Sequence, residues 1–176
     1  MKYFTAEHYL RGNSTNEDDL RGIEEVWERA LRAYRRRWNR IRHAFPRIVQ
    51  HFVAKNVCLH DAHVLSMTRT GKKLVMVLER EPPSHDLVIL TFTLAGELEI
   101  DMAALPVRRE SGIVAWLYEE WDLDQRGQCF FEVLLSNGWS VKLPFRDFRY
   151  SIGEQLLPTS NGRRRRRRAS AAGSVG

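Results

Sequence analysis

"CFFEVLLSNGWSVKLPFRDF", residues 129–148, decides how the rest of the chain is read. Asn137-Gly138 at its centre is the strongest short-range hairpin signal, because a two-residue type I′ loop wants positive φ at both positions. Apolar residues alternate with polar ones on either side, the period of a strand with one buried face. Two antiparallel strands are therefore expected, over "CFFEVLLS" and "WSVKLPFRDF".

The same period extends toward the N-terminus. "GIVAWLYEEWDL" (112–123) alternates, and "DQRGQ" (124–128) turns the chain into the hairpin. Ile113, Ala115, Leu117, Trp121 and Leu123 are expected on one face. Trp116, Tyr118, Glu120 and Asp122 are expected on the other. "LVILTFTLAG" (87–96) is more continuously apolar and predicts a central strand covered on both faces. "AHVLSMTR" (62–69) and "KKLVMVLERE" (72–81) flank Thr70-Gly71, a second hairpin, followed by the loop "PPSHD" (82–86). "ELEIDMAALP" (97–106) fits no single template.

Before residue 58 the period is that of a helix. Ile23, Val26, Trp27, Ala30, Leu31, Tyr34, Trp38 and Ile41 recur at 3-and-4 spacing, one apolar stripe over about five turns. Thr15 or Asn16 is placed to cap it, with Glu17, Asp18 and Asp19 in the first turn, where the helix dipole favours acids. Pro46 bounds it. "RIVQHFVAK" (47–55) predicts a second, short helix. Residues 1–16 read as an irregular start in which Tyr3, Phe4 and Tyr9 are too apolar for a solvated arm.

The stripe must be buried, and the sheet is the available partner. The expected fold is α+β: a long N-terminal amphipathic helix, with a second short one, packed on a curved antiparallel β-meander of about 5–7 strands. Trp27, Leu31, Tyr34, Val77, Ile89, Leu117, Phe131, Val133, Leu143 and Phe145 are the expected core. Residues 1–157 read as one α+β domain and 158–176 as a disordered, Arg-rich tail.

The charge total follows from the tail. The formal net charge is +6, and Arg163, Arg164, Arg165, Arg166, Arg167 and Arg168 account for all of it. Four readings of the run stand side by side. It is a polyanion-binding arm, a docking or targeting arm, a basic site directing modification of Ser170, or an appendage the fold does not use. No apolar run approaches the ~18 residues of a membrane helix, and the N-terminus lacks an apolar leader. Two cysteines, Cys58 and Cys129, suit a reducing compartment. The expected location is cytoplasmic, with no membrane partner.

Sequences that carry familiar chemistry are missing. There is no glycine-rich phosphate loop and no nucleophile elbow, so no cofactor is expected. "CLHDAHV" (58–64) holds metal-ligand types, Cys58, His60 and His63 with Asp61, but alternation along a strand turns His63 away from the others. "YEEWD" (118–122) places Glu120 and Asp122 on one face, where cross-strand pairing with Arg146 and Arg149 is expected. Acid–base catalysis would need a deep pocket in which Glu120 or Asp122 meets His60 or His63. Arg35, Arg36, Arg37 and Arg40 surround Tyr34 and Trp38, a pattern that suits nucleic acid when the rings are exposed. Here the rings fall on the apolar stripe.

Three stretches carry a resemblance: "MKYFT" (1–5), "LHDAHVLSMTRTGKKLVMVLE" (59–79) and "LLSNGWSVKLPFRDFRY" (134–150). Together they resemble a family of uncharacterised bacterial proteins, a domain of unknown function with an MKYFT-type N-terminus and a C-terminal β-meander. The resemblance implies a bacterial cytoplasmic protein and carries no catalytic or binding residue with it. The expected function is that of a non-enzymatic interaction protein of the inhibitor or immunity type, binding a protein partner through Trp116, Tyr118, Glu120 and Asp122. The alternative is a nucleic-acid-associated protein using Arg35, Arg36, Arg37, Arg40 and the arginines 163–168.

Overall fold

Helices come first and strands second. The structure, a computed structural model, describes residues 1–12, 17–81, 86–104 and 112–154. Thr15 and Asn16, the loop 82–85 and the tail with its six arginines lie outside the described residues. The helices are α1 (Ala6–Gly12), α2 (Glu17–Ile41) and α3 (Arg47–Ala54), with a short 3-10 turn at Arg42–Ala44. The strands are β1 (His63–Thr70), β2 (Lys73–Glu79), β3 (Asp86–Leu94), β4 (Glu99–Asp101), β5 (Trp116–Leu123), β6 (Cys129–Leu135) and β7 (Ser140–Glu154). The fold is α+β, helices packed on a curled antiparallel sheet. No described helix is long and apolar enough to cross a membrane.

The strands pair in the order β1-β2-β3-β7-β6-β5, with β4 alongside the start of β7. β7 is the long spine. Its first half pairs with β6 and β4, its second with β3. Pro144, which has no N–H to donate, sits where the partner changes, next to the register shift at Leu94. The sheet curls until its two edges meet. His63 bridges Ala115, Val64 N–H donates to Val114 O at 2.8 Å, and Trp116 N–H donates to Ala62 O at 2.8 Å.

The concave face holds the core. Phe92, Phe131, Phe145 and Phe148 are fully buried around Trp121, with the Trp121 and Phe131 rings 4.5 Å apart. α3 closes one end with Val49 and Phe52. The expected core positions Leu117, Phe131, Val133, Leu143 and Phe145 are buried. Val77 and Ile89 are not: Ile89 is 36% exposed and Val77 half-buried. The interior takes Leu74, Met76, Leu78, Val88, Leu90 and Phe92 instead. Both strands are apolar on both faces, so alternation could not choose between them, and the outer face of β3 is only partly covered. Trp27, Leu31 and Tyr34 are half-buried, not buried.

The decisive turn differs in type. Gly138 takes φ 89°, but Asn137 keeps negative φ. Gly138 N–H donates to Leu135 O at 3.0 Å, Leu135 N–H to Trp139 O at 2.8 Å, and Asn137 Oδ1 accepts from Trp139 N–H at 3.1 Å. This is the longer hairpin loop that ends in a left-handed glycine. The alternation along 112–123 also breaks. Leu117 is an extra residue, a β-bulge between Trp116 opposite Leu135 and Tyr118 opposite Leu134. One extra residue reverses the parity. Trp116 therefore joins Trp121 in the main core, fully buried, and does not share an outer face with Tyr118.

Candidate functional site

The four residues expected to meet a partner have other occupations. Glu120, 2% exposed, accepts from the backbone N–H groups of Lys2 (2.9 Å), Tyr3 (2.7 Å) and Phe4 (2.8 Å). Glu132, opposite Glu120 on β6, pairs with the amino nitrogen of Met1. Two acids facing each other across strands would repel; the donors of the N-terminal stretch hold them together. Asp122 accepts from Arg37 of α2, with Nη2 at 2.6 Å and Nε at 2.9 Å. The expected partners Arg146 and Arg149 are elsewhere: Arg146 is exposed and Arg149 lies 3.6 Å from Asp147. Arg35, Arg36 and Arg40 remain on the exposed side of α2.

The N-terminal stretch and α2 thereby cover the free edge of β5. The Tyr34 hydroxyl completes the cover, accepting from Trp121 N–H at 2.8 Å. Burial drives the Tyr34 hydroxyl pKa far above that of a free tyrosine, so it stays a neutral O–H.

Between this cover and the sheet lies a cavity of about 310 Å³. Trp27, Leu31 and Tyr34, spaced four and three apart on the stripe of α2, face it. Phe4 lines it from the N-terminal stretch, Phe52 from α3, and Tyr118 from β5. The rings form a continuous wall: Trp27–Tyr118 centroids are 4.9 Å apart, Phe4–Trp27 5.0 Å and Phe4–Tyr34 5.2 Å. The half-burial of the helix stripe has this cause, since those side chains border space as well as protein.

One carboxyl reaches this apolar wall. Glu119 stands opposite Val133, on the concave side that the bulge at Leu117 gives it. It accepts a hydrogen bond from Trp116 Nε1 at 2.7 Å. Burial lifts its pKa above the ordinary 4.5, against the opposing pulls of the Trp116 hydrogen bond and of His60. Burial likewise raises the Tyr118 hydroxyl.

His60 and Cys58 also line the cavity, from the loop after α3. The His60 ring lies 5.5 Å from that of Tyr118, and its Nδ1 is 2.6 Å from Asp61 Oδ2. Asp61 takes a left-handed φ of 64°, and its N–H donates to Trp116 O at 2.7 Å, latching the loop to β5. That reversal sends His63 away, to within 3.4 Å of Glu81. Cys58, His60 and His63 do not converge, and among the described residues no group of three or more His, Cys, Asp or Glu side chains could hold a metal ion.

The acid that lines the cavity together with His60 is Glu119, and not Glu120 or Asp122. Alternation alone misses it, because the bulge shifts the face. Its flanking tryptophans, at 116 and 121, are the signal that the stretch runs through the interior. No protein-family model, no curated protein and no solved structure matches the chain.

Proposed function

We propose that this chain is a non-enzymatic binding protein whose ligand is a small molecule held in the aromatic cavity. The class is the one expected from the sequence; the occupant changes from a protein to a small molecule. One observation carries the reading: the centre of the α2 stripe borders a cavity that lies between the helix and the sheet. An amphipathic helix gains its stability by removing its apolar stripe from water. Trp27, Leu31 and Tyr34 complete that burial when a ligand fills the space. The volume lies at the lower end of the ligand-pocket range of roughly 300–1,000 Å³. An apolar lining with a few placed polar groups, here Glu119 and His60, is the usual composition of such a site.

The test is a fragment screen by ligand-observed NMR on the full chain and on Leu31→Trp, which fills the cavity from the helix side. Fragments are expected to bind the parent chain and to lose binding in the variant, whose far-ultraviolet circular dichroism stays unchanged. The reading is overturned if no fragment binds, or if the same fragments bind both proteins equally.

A further inference from the structure

The cavity has a sign. Among the described residues, no lysine or arginine lines it. α2 is rich in arginine, yet Arg37 is turned to Asp122 and Arg35, Arg36 and Arg40 face outward. The ionisable groups on the wall are Glu119, His60, Cys58, Tyr34 and Tyr118. Of these, Glu119 alone is a carboxyl group, and it is held in place by the Trp116 indole. Phe4, Trp27, Tyr34 and Tyr118 line the same cavity. Aromatic rings attract cations through their quadrupole, most strongly where water is excluded. An anion would meet the Glu119 carboxyl with no lysine or arginine among the lining residues to offset it.

We propose that the ligand of this cavity is a small organic monocation, an alkylated ammonium, with Glu119 as its counter-ion and the aromatic wall as its cage. The inference rests on the cavity being a ligand site and adds the chemical class. Its volume corresponds to about ten water molecules at roughly 30 Å³ each, enough for a choline-sized cation.

Proton balance follows from the groups that face Glu119. His60 and Asp61 approach from the loop after α3, and Tyr34 and Tyr118 share the wall from α2 and β5. α3 contributes Phe52 and Val53, which do not titrate, and Glu120 and Asp122 are engaged on the opposite face. Burial raises the pKa of Glu119. Where the carboxyl carries its proton, cation entry releases that proton to solvent and leaves a carboxylate–ammonium pair. Affinity therefore rises with pH.

The experiment uses three isosteres on the full chain: choline, neutral 3,3-dimethylbutan-1-ol and anionic 3,3-dimethylbutanoate, each titrated by NMR or calorimetry. Choline is expected to bind about tenfold or more tighter than the alcohol, the butanoate weakest, and choline affinity to rise with pH. Glu119→Gln keeps an acceptor for the Trp116 N–H but no charge. It should abolish the preference for choline and leave alcohol binding within about twofold. Trp27→Leu, at a half-buried position, is the second variant and should weaken choline selectively even if Glu119→Gln does not fold. Equal binding of choline and alcohol, or a preference that survives both variants, overturns the cation class while the cavity reading stands. If none of the three probes binds, the cation class fails; the cavity reading fails with it only when the fragment screen is also blank.

Discussion

Glu119 and Glu120 are neighbours in sequence with opposite environments. Glu120 accepts three backbone N–H bonds and ties residues 2–4 to the sheet. Glu119 sits on an apolar wall, where among the described residues Trp116 donates to it. A carboxylate that collects backbone donors is a structural clamp; a carboxyl with spare acceptor capacity in a cavity is available to a ligand. Glu120→Gln replaces one acceptor oxygen by an NH₂ that faces a backbone donor. It is expected to cost about 2 kcal/mol, read as a lower urea midpoint at unchanged slope. The clamp was half legible. "EE" in an aromatic strand announces acids near the core, but which of them faces inward depends on one bulge, and nothing local marks Leu117 as the extra residue.

At the scale of elements, period carried most of the information. The 3-and-4 stripe places α2, and the observed helix ends at Ile41 just before the 3-10 turn and Pro46. The hairpins fall where Gly71, Gly127 and Gly138 take positive φ, at 58°, 78° and 89°. Gly138→Ala should cost about 1 kcal/mol, since a Cβ crowds the left-handed backbone, while Asn137→Ala should cost less because Asn137 keeps negative φ and loses one hydrogen bond to Trp139. Paired thermal melts of the two variants check the order. α1 was not legible: seven residues are too few to show a period, and it is held by tertiary contact of Tyr9 with Leu117 and Leu134. β4 lies in the stretch 97–106 that fits no single template, and three residues are too few to show a period.

For the whole molecule the question is closure. The sheet curls until the approach to β5 meets β1, and Ser136 locks that seam. Its Oγ accepts from Ala115 N–H at 2.8 Å and its own N–H donates to Ala115 O at 2.8 Å. Ser136 is 1% exposed, so Ser136→Ala leaves a buried donor unpaired at a cost between about 1 and 2 kcal/mol. Amide exchange at Val64 and Trp116, the seam positions, should then quicken more than exchange in β3. Uniform acceleration would show that the seam is not a separate unit.

By itself the sequence determined the class of fold, the number and order of the main elements, and which helix face is apolar. These follow from periodicity and turn residues, which act over a few positions. Tertiary structure alone decided what that helix face covers, which acid of the pair at 119–120 turns inward, and that Trp116 belongs to the core. Each depends on atoms brought together from distant parts of the chain: a bulge set by pairing with β6, an N-terminal stretch anchored on β5, and a helix held off the sheet far enough to leave a cavity between them.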